Sequence, residues 1–172
     1  MLYDLDGSAP AGFRGTPQRG RGAATHTAVA IERGEDETMG YYYSKIISRP
    51  FDAVQAETRE ALGQEGFGII TEIDVRKTLK SKIEQDFRDY VILGACNPRL
   101  AFEALQLEDK VGTMLPCNVI VQDAGAGRTE VAAIDPAASM QAIPNEILKR
   151  KAEEVGAKLR AALDRLQGER SG

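Results

Sequence analysis

Apolar positions along the chain switch between a period of two and a helical period, and those switches outline the elements. Tyr41-Tyr42-Tyr43-Ser44-Lys45-Ile46-Ile47-Ser48 is aromatic and β-branched with rough alternation, which predicts a first strand ended by Pro50. Phe51, Val54, Thr58, Ala61 and Leu62 then recur at helical spacing, with Asp52, Glu57, Arg59, Glu60 and Gln64 outside the stripe. They predict a surface helix that packs one apolar face on a sheet and stops at Gly66. Phe67 to Val75 reads as a second strand, followed by a short basic helix over about Arg76 to Ile83.

Tyr90-Val91-Ile92-Leu93-Gly94-Ala95-Cys96 is apolar at almost every position, as expected of a central strand covered on both sides or of one lining a pocket. Asn97 and Pro98 then open a helix, since Asn is a favoured N-cap and Pro a favoured first helical residue. Leu100, Ala101, Ala104 and Leu105 give that helix its buried stripe. After a turn at Gly112, Thr113 to Gln122 predicts a fourth strand. Pro116 inside it removes a backbone donor, which points to an edge strand or a bulge. Ala124-Gly125-Ala126-Gly127 makes a hairpin turn into a fifth strand, Thr129 to Asp135. Pro136 and Pro144 bracket a loop containing Met140. Leu148, Ala152, Val155, Leu159, Ala162, Leu163 and Leu166 then predict a long amphipathic helix, weakened only at Gly156. A hairpin combined with helical crossovers makes the fold α+β, a mostly antiparallel sheet of about five strands with helices on one face.

Residues 1–38 break this patterning. They carry six glycines and little apolar periodicity, which predicts a flexible leader. Arg14, Arg19 and Arg21 among glycines would suit a nucleic-acid arm, but acidic residues outnumber basic ones across the leader. The run Glu32-Arg33-Gly34-Glu35-Asp36-Glu37 before Met39 has purine-rich codons, as an in-frame ribosome-binding site would, so Met39 is expected as the natural start. His26, the only histidine, falls in this leader and is not expected to act as ligand or base. A single domain is expected over 39–168, with a tail at 169–172. The net charge of −4 across 172 residues is mild and mixed, which argues against a nucleic-acid partner. No stretch approaches the roughly 20 apolar residues of a membrane span. Met1-Leu2-Tyr3-Asp4 lacks the regions of a signal peptide, so a cytoplasmic location with reduced thiols is expected.

The chemistry centres on the two cysteines, in near-mirror contexts: Cys96-Asn97-Pro98 and Pro116-Cys117-Asn118. If their strands are neighbours, the thiols come within reach of one another. Cys96 precedes a capped helix, whose dipole predicts a lowered thiol pKa and makes it the more reactive of the two. The competing reading is equally concrete, because free cysteine is commonly a small buried hydrophobe. Zinc is not expected, since a structural site takes four Cys or His ligands and the folded part supplies two, so that only a site shared across a dimer would reach the count; no cofactor is expected either. Glu72 and Asp74, two apart on a strand, could pair as acid and base, but more often such residues form a solvated face. Asp89 and Tyr90 could polarise a ligand. Gly125-Ala126-Gly127 lies between strands and does not make a phosphate loop.

At these residues the chain resembles the family catalogued as domain of unknown function 302, small bacterial and archaeal proteins. The resemblance is carried by Gly66-Phe67-Gly68 leading to Glu72-Ile73-Asp74-Val75, by Leu93 to Pro98 with Ala101 and Leu105, by Leu115-Pro116-Cys117-Asn118-Val119, and by Asp135-Pro136. It implies an α+β domain of the TATA-binding-protein-like type, commonly a homodimer, with Cys96, Asn97, Pro98, Pro116, Cys117 and Asn118 at the signature positions. It supplies no reaction, and fold alone does not carry one. Three function classes follow. The first is a ligand-binding or sensing module with the Cys-Asn segments at an apolar pocket, taking a small apolar or thiol-reactive ligand. The second is a thiol redox or sulfur-transfer protein using Cys96 with Cys117 as resolving partner. The third is a structural or assembly module.

Overall fold

The computed structural model describes residues 36–166. The rest of the leader, with His26 and the arginine-glycine stretch, and the tail at 169–172 lie outside the described residues. The chain runs β1 (Asp36–Met39), β2 (Tyr42–Ile47), α1 (Phe51–Gln64), β3 (Gly68–Asp74), α2 (Val75–Ile83), β4 (Tyr90–Cys96) and α3 (Pro98–Leu107). A 3-10 turn (Asp109–Met114), β5 (Cys117–Gly125), β6 (Arg128–Ile134), α4 (Pro136–Ser139) and α5 (Glu146–Asp164) complete it. The strands form one sheet in the order β1-β2-β6-β5-β4-β3, antiparallel throughout. The fold is the α+β arrangement expected, with five longer strands and the short β1 added at one edge.

Period-two alternation sorts the sheet into two faces. Val91, Leu93 and Ala95 of β4 pair with Val121, Val119 and Cys117 of β5, and Val131 and Ala133 of β6 continue the layer. These residues are buried with Val54 and Leu62 of α1 and Leu159 and Leu163 of α5, so the helices cover this face. α1 ends in a Schellman motif. The Phe67 N–H donates to the Leu62 carbonyl (2.9 Å) and the Gly66 N–H to the Gly63 carbonyl (3.0 Å). Gly66 stands at φ +85°, the left-handed region a glycine tolerates, and its neighbours Leu62 and Phe67 both enter the core. A second cluster, Ala104, Val111, Met140, Leu148 and Ala152, joins α3 to the first half of α5. Gly156, a weak point by helix propensity, lies where α4 meets α5: a Cβ there would stand 3.5 Å from Pro136 Cδ.

Three sequence expectations are revised. Thr113 to Pro116 is not strand. Glu108 accepts from the Lys110 N–H (3.0 Å) and starts the 3-10 turn, which buries Val111 and carries the chain to Leu115. β5 therefore begins at Cys117, after the cis Leu115–Pro116 bond, and it is a central strand rather than an edge. Pro116 costs it no ladder hydrogen bond because the proline precedes the strand. The Pro136–Pro144 loop holds a helical turn, α4, capped by the Asp135 carboxylate, which accepts from the Ala137 (2.9 Å) and Ala138 (3.4 Å) N–H groups. Asp36–Met39, of which 36–38 fall in the leader by sequence, pair with β2. The real edge on the far side is β3, where the register shifts between Ile69 and Thr71 and Ile70 is left exposed.

Candidate functional site

β4 delivers Cys96 and β5 delivers Cys117 to the same end of the sheet. Ala95 is the residue directly opposite Cys117, so Cys96 lies one step beyond that pair. The neighbouring-strand placement expected from sequence holds, but the two cysteines are offset and do not oppose one another directly. Both are free thiols, Cys117 buried and Cys96 half-buried. With Asn97 they border a cavity of about 30 Å³, walled by Phe67, Ala95, Leu100, Met140 and Val155, with Lys151 its single charged neighbour. That volume accommodates a species about the size of one water molecule.

The remaining signature residues hold the frame. Asn97 caps α3, its Oδ1 accepting from the Leu100 N–H (3.2 Å), and Pro98 occupies the first helical position. Pro116 rests on β4 at Gly94: a Cβ on Gly94 would collide with Thr71 Oγ1 and come within 2.7 Å of Pro116 Cγ. Only glycine leaves that space open. Asn118, exposed, pairs with Gly94. The structure thus brings Cys96, Asn97 and Cys117 to the cavity and leaves Pro98, Pro116 and Asn118 around it. Sequence reading missed Met140, Phe67, Leu100 and Val155 as walls. Met140 carried a signal, an apolar residue between two prolines with no periodic partners.

The electrostatics reverse one expectation. Cys96 at the foot of α3 was expected to be acidified by the helix, yet burial pushes its thiol pKa up. Burial pushes Cys117 further, to about 11, with Cys96 adding to the shift. Apolar surroundings favour the neutral thiol at both positions. Glu72 and Asp74 do not form an acid–base pair: Glu72 meets Arg59 of α1 (2.7 Å), while Asp74 caps α2 by accepting from the Lys77 N–H (2.8 Å). Asp89 binds Arg76 (2.6 Å). Among the described residues no three His, Cys, Asp or Glu side chains gather where a metal ion could be held.

A family model described as Domain of unknown function DUF302 matches residues 43–166. The chain belongs to the DUF302 family. The match runs from within β2 to the end of the last helix and contains both Cys-Asn segments, bearing out the resemblance they carried. A crystal structure of an uncharacterized conserved DUF302 protein from Bacillus stearothermophilus is 31% identical, with a TM-score of 0.67, and the match covers 72% of this chain and 96% of that one. No curated protein matches the chain. Among the described residues, no helix of this DUF302 chain is long and apolar enough to cross a membrane.

Proposed function

We propose that this DUF302 domain is a small-ligand-binding or sensing module, and that its site is the cavity where the two Cys-Asn segments meet α3, α4 and α5. The observation that carries this reading is the convergence of Cys96, Asn97 and Cys117 on one small apolar space. At about 30 Å³ the space takes an apolar species of very few atoms, and anything larger must displace α3 or α4. A neutral thiol, polarisable and weakly hydrogen-bonding, suits such a ligand. The thiol-enzyme reading draws less support, because a resting thiolate is the form that attacks and burial disfavours it at both cysteines. A purely structural role would leave the cavity without a use. Free thiols accord with a cytoplasmic, reducing location.

Dissolved xenon should shift the methyl resonances of Leu100, Met140 and Val155 saturably. Ala101→Leu, which fills the cavity, should abolish the shift while leaving the circular dichroism spectrum unchanged. Resonances of the natural chain that ignore xenon would sink the ligand reading.

We infer further that the domain works as a homodimer. α2 supports this: it buries no residue, yet Val75, Leu79 and Ile83 recur every four residues along it, and Ile83 is exposed. A nine-residue helix is marginal by itself in water, so a covering partner would account for its persistence.

A further inference from the structure

Three sulfur-bearing side chains border the thiol cavity, although the chain has only two cysteines and four methionines. Cys96 is the last residue of β4, Cys117 the first of β5, and Met140 the residue that closes α4. Their backbones are held from several sides. Cys96 stands opposite Gly68 of β3, and Cys117 opposite Ala95 of β4. The Met140 N–H donates to the Pro136 carbonyl (3.0 Å), and the Met140 carbonyl accepts from the Ile143 N–H (3.1 Å). The two thiols are near enough for Cys96 to add to the shift at Cys117. Met140 and Cys117 are buried, while Cys96 is half-buried and gives the cavity its contact with solvent.

The rest of the wall narrows the chemistry. Among the described residues no carboxylate or imidazole borders the cavity, so a hard cation such as calcium or magnesium finds no anionic oxygen there. Zinc finds too few ligands. Thiolate and thioether sulfur are soft donors that favour monovalent copper, which is satisfied by fewer ligands than zinc takes. At about 30 Å³ the space holds a single ion. Lys151, the one charged side chain at the cavity, is positive, and its ammonium is held by Glu103 (2.7 Å) and Glu154 (3.4 Å).

We propose that this cavity, on the reading that it is the ligand site, binds monovalent copper between Cys96 Sγ, Cys117 Sγ and Met140 Sδ. Two Cu–S bonds form as two S–H bonds break, both protons pass to solvent, and no electron is transferred. Met140 donates a lone pair and loses nothing. Burial favours neutral thiols while the metal is absent, and a bound cation takes over from the protons in neutralising the sulfurs. Two thiolates and one Cu(I) leave a single negative charge, beside which the Lys151 ammonium stands. A thioether at this position would be an ordinary gap-filler in a wall without thiols. Placed against both cysteines of the chain, it completes a three-sulfur set.

The test titrates the reduced full chain, without oxygen, with Cu(I) held by bicinchoninate, whose colour fades as the ion leaves it. Ag(I), a redox-inert substitute of the same charge, is followed at the Met140 methyl resonance. Transfer of one Cu(I) per chain is expected, together with a saturable shift of that methyl by Ag(I). Cys117→Ala should abolish transfer, and Cys96→Ser serves in its place if that variant fails to fold. Met140→Leu, close in volume, should weaken Cu(I) binding about tenfold or more while its cavity still responds to xenon. A xenon response without Cu(I) transfer would overturn the copper site and leave the ligand cavity standing, whereas loss of both would remove both. Transfer undiminished by the cysteine or methionine substitutions, a Met140 methyl indifferent to Ag(I), or Zn(II) bound as tightly would each overturn the proposal.

Discussion

Cys117 shows how a buried thiol couples to stability. Its proton is held to about 11 in the folded chain, against an ordinary 9.0. Between those values the unfolded chain has released the proton and the folded chain keeps it, so the unfolded state binds fewer protons and stability falls as pH rises. The contribution is complete below pH 9.0 and amounts to about 2–3 kcal/mol lost on passing through the folded value. Urea midpoints measured across that window should fall in the natural chain. In Cys117→Ala the fall should flatten, at a constant cost of about 1 kcal/mol from the lost packing. Iodoacetamide should label native Cys96 slowly at neutral pH, and Cys117 more slowly still. Rapid labelling at neutral pH would move the thiol-enzyme reading ahead of the ligand-binding one. The sequence made these two residues easy to find, because both stand beside Asn and close to Pro. It could not show their ionisation, since Met140 and Val155, which wall the same cavity, are brought from distant parts of the chain.

Elements were most legible where local chemistry and packing agree. Asn97-Pro98 started α3 as read, and Gly66 stopped α1 through paired backbone hydrogen bonds. Legibility failed at Thr113–Pro116, whose residues suit a strand but whose course is set by the Glu108 cap and the burial of Val111. It failed again for α4, because one helical turn has no periodicity to detect. α5 is the element that ties the two core clusters together, and its start rests on Asn145. The Asn145 Oδ1 accepts from the Ile147 (3.1 Å) and Leu148 (3.0 Å) N–H groups, and its Nδ2 donates to the Leu107 carbonyl at the end of α3 (3.4 Å). Asn145→Ala should cost about 1 kcal/mol, and somewhat more than an isolated cap because the α3 link is lost too. Asn145→Asp, which keeps the cap oxygen and loses the link, should recover most of it in the same urea titration.

Across the whole molecule, one face of the sheet is closed by helices and the other carries a cavity, while β3 and α2 form an exposed flank with Ile70, Ile73 and Ile83 uncovered. A homodimer through this flank predicts that Ile83→Lys shifts light-scattering mass from two chains to one, with the circular dichroism of the sheet retained. An unchanged mass at dilute concentration would remove α2 from the interface. No pattern in the sequence disclosed this flank, because Ile70 and Ile73 read as ordinary strand residues until the strand order placed them at a margin. The register slip at Ile70 then acquires a meaning beyond local geometry. An exposed edge strand rich in isoleucine is a template on which further chains can add without limit. An extra residue in that edge twists it and interrupts the regular spacing of its backbone donors and acceptors. The flank can thus support a closed pairing through side chains while resisting open-ended growth into fibres.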